Sequence, residues 1–237
     1  VCLAFSQQYN NSFMSRETNK LSFALALAQK SDSIFGFFGS EKKLSGAGDP
    51  YGLRRSVLGI IKISIEKELD IEFSKILKEC KKNFDEQGLK NNIDIAKIIE
   101  FFNKRIFIYL NEIGFSQKIV KTNLNNYYFN PYLIYKKTKI LENFCNSTIG
   151  KNFLQAFKRL NSLIDDNETI IKIDLSLLLK HEEQELHKKI VFLEKKITLE
   201  KNKYNDLSFL DEISKPLNNF LDKIVVNVDD NILKKNR

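Results

Sequence analysis

SEKKLSGAGDPYGLRRSVLGII, residues 40–61, is the most informative stretch of this 237-residue chain. A cationic, glycine-rich loop ends at Asp49-Pro50 and feeds a helix that opens with Arg54 and Arg55. Asp accepts hydrogen bonds from the free N–H groups at a helix start, and Pro fits the first helical position because it has no N–H to satisfy. From Leu53 the apolar residues Leu53, Val57, Ile61 and Ile65 fall four apart on one stripe, which predicts a helix from 53 to about 69. The two arginines stand in its first turn, where positive charge opposes the helix dipole. That placement calls for an anion: an internal carboxylate such as Asp32 or Asp49, or an external group such as a phosphate.

Helical patterning continues on both sides. The first 18 residues are polar and irregular, and 21–38 reads as an apolar helix with Phe23, Leu27, Ile34 and Phe38 in the core. A shorter helix, about 71–82, precedes a turn at Gly88. Ile95, Ile98, Phe102, Ile106 and Tyr109 recur at spacings of three or four in a helix over 93–110, which Gly114 ends. The aromatic cluster YYFNPYLIY, residues 127–135, marks a boundary, with Pro131 near the start of a helix to about 144. Thr148 or Gly150 introduces another through Phe153, Phe157 and Leu160. After an acidic turn and a short β-branched run come two long helices, about 175–201 and 206–226. Leu179, Leu186, Ile190, Leu193 and Ile197 form one seam, and Leu210, Ile213, Leu217, Phe220 and Ile224 the other. Their short connection predicts an antiparallel pair. Almost nothing reads as sheet, and no internal repeat is present, so the expected class is all-α.

Bulk composition narrows the function classes. With 19 Phe and abundant aliphatics, the chain is not compositionally disordered. Cys2, Cys80 and Cys145 are odd in number and widely spaced, which suggests neither a disulfide framework nor a zinc site. Reduced thiols fit a cytoplasmic protein. No apolar run approaches the roughly 20 residues that span a bilayer. The chain starts at Val1, has its single Met at position 14 and stops at Arg237, and so reads as a fragment of a longer protein. The net charge of +8 is spread over both halves. It suits an RNA-binding surface and equally a Lys- and Asn-rich protein that binds no nucleic acid.

Catalytic chemistry finds little support. His181 and His187 lie six apart among Glu182, Glu183 and Glu185, a pattern that a solvated helix face explains. There is no HExxH or CxxC arrangement, so no metal site and no catalytic residue is expected. Gly46 and Gly48 invite a phosphate-loop reading, but the GKS/T ending and the preceding strand are absent. A helix N-terminus can still hold phosphate through its N–H groups, with Lys42, Lys43, Arg54 and Arg55 adding charge; internal salt bridges are the alternative. Lys158-Arg159, beside Phe157, is a second basic pair suited to an RNA backbone, with Tyr127 and Tyr128 available to stack on bases or simply to pack a domain junction. Lys188-Lys189 and Lys195-Lys196 read as solvated charge.

Two motifs carry a resemblance. LALAQKSDSIFGFFGSEKKLSGAGDPYGLRRSVLGIIKI, residues 25–63, resembles the segment of the bacterial glycyl-tRNA synthetase beta subunit in which an A-D-K-x-D-T-L-like helix leads through a glycine-rich loop to D-P-[FY]-x-L-R-R. At the other end, PLNNFLDKIVVNVDDNILKKNR, residues 216–237, resembles the family's P-[VI]-x-x-F-F-D-x-V-M-V-x-x-[DE]-x-x-x-R-x-N-R tail, with Lys234 where Arg is usual. The likeness covers nearly the whole chain, and its middle is diverged.

The resemblance implies an HD-like helical region over 1–125 and a helical anticodon-binding domain over 126–237, akin to the C-terminal domain of arginyl-tRNA synthetases. It implies a role in binding tRNA(Gly) beside an alpha subunit, two of each per complex. That partner would hold the class II site with ATP and Mg2+, and no cofactor would bind this fragment. It also implies structural roles for Asp32, Gly46, Gly48, Asp49 and Pro50, and RNA contacts or a brace for Lys42, Lys43, Arg54 and Arg55, with Lys158 and Arg159 near the anticodon arm. Gln29 replaces the acid that precedes the motif's Lys, and Ser31 and Ser33 are small polar replacements. Hydrolases of the HD fold need a His-Asp metal set that this sequence lacks. An arginyl-type anticodon-binding region, a non-catalytic helical interaction protein and an active HD-type phosphohydrolase are the rival readings.

Overall fold

The computed structural model describes residues 20–39, 51–88, 93–125, 128–163, 173–199 and 207–237. Among them are ten α-helices, two short 3-10 turns and no strand. The chain is all-α. No helix among the described residues is long and apolar enough to cross a membrane. Two compact units are formed, Val1–Lys139 and Ile140–Arg237.

The first unit contains α1 (Lys20–Gly39), α2 (Leu53–Glu66), α3 (Phe73–Glu86), α4 (Ile95–Glu112), α5 (Gln117–Thr122) and the start of α6 (Pro131–Asn146). Helix α1 packs on α2, α3 and α4, while α2 also packs on α4. Enclosure from two sides explains why α2 buries more than the predicted stripe. Leu53, Val57 and Ile61 are buried as the four-residue spacing requires, and Ile60, Ile63, Gly59 and Ser64 join them. Each buried branched side chain contributes about 1.5–3 kcal/mol. The Ser64 hydroxyl is satisfied locally, donating to the Ile60 carbonyl at 2.8 Å.

Helix α1 buries Phe23, Leu27 and Ile34 as expected, and adds Phe35, whose ring meets Phe84 of α3 edge-on at 5.1 Å. Helix α4 is bounded by local chemistry. The Asp94 carboxylate accepts from the Ala96 N–H at 2.9 Å. At the other end Gly114 takes φ +103, so that Phe115 N–H reaches the Leu110 carbonyl and Gly114 N–H reaches Asn111. This is a Schellman closure, which needs the left-handed residue that glycine supplies.

The aromatic segment before α6 completes this core. Phe129 is fully buried, with its ring 4.8 Å from Phe102 and 6.4 Å from Phe73, and its carbonyl accepts the Phe73 N–H at 2.8 Å. Asn130 caps α6 by accepting from Leu133 N–H at 3.0 Å, and its amide donates to Asp70 at 2.6 Å. Pro131 then occupies the first helical position, where its missing N–H costs nothing.

The second unit contains α7 (Thr148–Asn161), a 3-10 turn Leu175–Leu177, α8 (His181–Leu199), a 3-10 turn Ser208–Leu210, α9 (Asp211–Lys223) and α10 (Asn231–Asn236). Helix α9 packs on both α7 and α8. Its pairing with α8 is antiparallel: Lys189 meets Glu212 at 2.6 Å, and Glu182, nearer the start of α8, meets Lys223 at the far end of α9 at 2.9 Å. Leu193, Leu217, Phe220 and Ile224 are buried along the seam.

The predicted start of α8 is too early. The helix begins at His181, and Leu179, expected in the seam, is 74% exposed while Leu178 turns inward. The start is set by Glu183, three residues into the helix, whose carboxylate reaches back to accept the Lys180 N–H at 2.9 Å, half of a capping box. Glu183 is therefore not part of a solvated face. It is buried and paired through its other oxygen with Arg237 Nε at 2.6 Å. Arg237 also donates Nη1 to the Val225 carbonyl at 2.8 Å. Next to it, Asn236 both accepts from Asp174 N–H at 2.7 Å and donates to the Asp174 carbonyl at 3.0 Å. The N-R ending of the tail motif is thus a clamp across the second unit.

Candidate nucleic-acid interface

In the first unit the arginine pair stands at the N-terminus of α2. The cap residue is Gly52, at φ +63 and with no side-chain cap hydrogen bond. A left-handed residue is needed here, and a Cβ at Gly52 would lie 3.3 Å from Arg55 Nη2. The glycine lets the Arg55 guanidinium lie back over the helix start. Arg55 is exposed and Arg54 half-buried. Lys42, Lys43, Gly46, Gly48, Asp49 and Pro50 lie outside the described residues.

Asp32 is exposed on α1. The Cys80 thiol is pushed up from its usual value, first by burial and then by the Asp32 charge. Two places from Asp32, Lys30 is only 4% exposed, and burial pulls its ammonium below the ordinary lysine value. The periodic reading of α1 passed over Lys30, although it falls between Phe23, Leu27 and Ile34 on the same face.

In the second unit Lys158 and Arg159 are both exposed in the last turn of α7. Arg159 is held by α9: its Nη2 donates to Asp222 at 2.7 Å and to the Leu221 carbonyl at 3.3 Å. It lines an open groove of about 380 Å³ between the two helices with Asn152 and Gln155 of α7 and Asp211, Ser214, Lys215, Asn218 and Asn219 of α9. Sequence reading found the basic pair and missed the amides. Their signal was the spacing of Asn152, Gln155 and Arg159, three and four apart, on one helix face. Phe157 is 44% exposed and stacked on Phe153 at 6.2 Å. Tyr128 is half-buried, its hydroxyl 3.4 Å from the Asn130 amide, and Tyr127 lies outside the described residues.

The helix α7 that carries this surface is fixed at its start. Ser147 accepts the Gly150 N–H at 2.9 Å and donates to the Phe144 carbonyl at 2.7 Å. A Cβ at Gly150 would fall 1.8 Å from that same carbonyl oxygen, so only glycine permits the α6–α7 corner. Among the described residues no group of three or more His, Cys, Asp or Glu is placed to hold a metal. His181 faces Glu185 at 3.8 Å on the exposed side of α8.

Residues 1–125 match the family model described as the glycyl-tRNA synthetase beta subunit. The chain belongs to this family. Similar curated relatives of the glycyl-tRNA synthetase beta subunit family extend the match beyond residue 125. The glycine–tRNA ligase beta subunit of Oenococcus oeni is 30% identical, covering 100% of this chain and 36% of the relative. That of Buchnera aphidicola is 28% identical, covering 100% and 35%. That of Rickettsia typhi is 31% identical, covering 90% and 32%. The chain thus spans about a third of the length of these relatives.

Proposed function

We propose that this chain is the tRNA-holding part of a glycine–tRNA ligase beta subunit, binding tRNA(Gly) while an alpha subunit performs ATP-dependent glycylation in a cytoplasmic complex of two alpha and two beta subunits. Family membership carries this reading, together with relatives that align across both units. In it the first unit is an HD-like helical region without hydrolytic chemistry, and the second is an anticodon-binding domain. ATP and Mg2+ are used at the alpha subunit. Lys42, Lys43, Arg54 and Arg55 face the tRNA backbone or brace the first unit, and the exposed pair Lys158 and Arg159 lies beside the anticodon arm.

The test is glycine charging of tRNA(Gly) by the alpha subunit with and without this chain, accompanied by co-purification of the two. Charging and association that depend on the chain are expected. A chain that neither binds tRNA nor associates with the alpha subunit would be a helical interaction protein instead. Within the binding assay, replacing Arg54 and Arg55 with alanine should lower the salt slope by roughly one counterion for each phosphate that an arginine neutralises. Unchanged affinity and slope would assign both arginines to an internal brace.

A further inference from the structure

We infer that the groove between α7 and α9 receives the edge of a single unpaired RNA base, read by side-chain amides, while Lys151 and Lys158 meet the flanking phosphates. This rests on the tRNA-binding reading above and specifies how the second unit would take part in it.

Charge decides between a phosphate site and a base site. Arg159 looks like a phosphate ligand in sequence, but its guanidinium is matched within the protein by Asp222 and the Leu221 carbonyl. Asp211 offsets Lys215 on the groove's other wall. What remains is a nearly neutral cleft lined by Asn152, Gln155, Asn218 and Asn219. With Asp222 counted, the formal charges of the lining cancel, which leaves no surplus cation inside the groove for a phosphate. The neutral edge of a base, with donors and acceptors side by side, matches the carboxamide, which offers both.

The amides are also available. Asn218 donates through Nδ2 to the Ser214 carbonyl at 3.0 Å, which fixes its orientation and leaves Oδ1 to accept. Among the described residues, the side chains of Asn152, Gln155 and Asn219 make no hydrogen bond to protein. The groove, about 380 Å³ and open to solvent on one side, has room for the edge of a base rather than for an enclosed ligand. Both walls are helices, and α7 is pinned at its start by Ser147 and Gly150, so the donors are held by rigid elements rather than loops. Exposed Lys151 and Lys158 are seven residues apart on α7, about two turns, and so lie on one side of the helix. In RNA, base edges are open to such reading chiefly in single-stranded loops, bulges and ends.

The experiment uses the full chain bound to its alpha subunit, with a panel of tRNA(Gly) transcripts in which each unpaired nucleotide is substituted in turn. Wild-type protein should reject substitution of one nucleotide by roughly 5- to 150-fold, the discrimination of a good bidentate contact. The double variant Asn152→Ala/Asn218→Ala, and separately Gln155→Ala, should lose that discrimination with the salt slope unchanged. Lys158→Ala should do the opposite, lowering the slope by about 0.7 while keeping the discrimination. If wild-type protein binds tRNA and the amide variants, folded by circular dichroism, retain full discrimination, the groove is not the base site. If instead they lose the alpha subunit with unchanged tRNA selectivity, the groove belongs to a protein partner. Wild-type protein that binds no tRNA at all would overturn the proposed function itself.

Discussion

Replacing Glu183 by Gln leaves an acceptor for the Lys180 N–H but removes the charge that Arg237 faces. The pair is among the most enclosed in the described chain, with side-chain exposures of 1% for Glu183 and 8% for Arg237 and a separation of 2.6 Å. Breaking a buried pair by removing one partner costs about 3–5 kcal/mol, because the survivor stays desolvated without compensation. Glu183→Gln should fall near the lower limit, and Glu183→Ala should lose about 1 kcal/mol more with the helix cap. Amide hydrogen exchange on the full chain is the suitable assay, since it follows α8 and α9 while α2 and α4 serve as an internal reference. A loss of about 3 kcal/mol accelerates exchange through opening of the second unit by roughly 150-fold. The double variant Glu183→Leu/Arg237→Met, which removes both charges, should recover at least half of the loss. Acceleration below about 3-fold for Glu183→Gln, or strictly additive losses in the double variant, would refute the view that the clamp works through this ion pair.

Two further outcomes follow from the same unit. Gly150→Ala, a substitution that ordinarily favours a helix, should destabilise by about 1–3 kcal/mol or more, because its methyl would overlap the Phe144 carbonyl; an unchanged or higher urea midpoint would mean that the α6–α7 corner is looser than described. The carboxylates of Glu212 and Glu182 are held below their ordinary values chiefly by hydrogen bonds from Lys189 and Lys223. A lowered folded-state value means stability that is present above the unfolded carboxylate range near pH 4.5 and lost as pH falls through the folded value. Denaturation monitored from pH 6 to pH 3 should therefore show α8–α9 weakening on acidification, and Glu212→Gln should flatten that slope. Identical pH profiles for the two proteins would show that the pair is fully screened.

Helices bounded by their own residues were legible in the sequence. Helix α4 has an Asp at its cap, apolar residues at helical spacing and Gly114 just past its end, so its extent follows within two residues. Helix α8 was misplaced because its start depends on Glu183 and Arg237, 54 residues apart. The charged neighbours of Glu183 look like a solvated face, and only packing singles it out. At α2 the Asp-Pro dipeptide suggested a cap, whereas the turn geometry gave that position to Gly52. Of the candidate site, Lys158 and Arg159 were visible as a basic pair. The partner that neutralises Arg159, Asp222, and the amides facing it from α9 lie some 60 residues downstream, beyond any local pattern.

The clamp formed by Asn236 and Arg237 also sets an order of events during synthesis. Every element that completes the first core, Phe129 and Ile134 included, has been made once residue 139 is joined. The clamp residues Asn236 and Arg237, which hold Asp174 and Glu183, are joined 97 and 98 residues later. At about 5–20 residues per second, that is an interval of about 5–20 s in which one unit can be finished while the other is still unclamped. The polar groove helices α7 and α9 belong to the late half. A ribosome-stalled chain ending before residue 236 would therefore present a mature first unit and an unlatched second one.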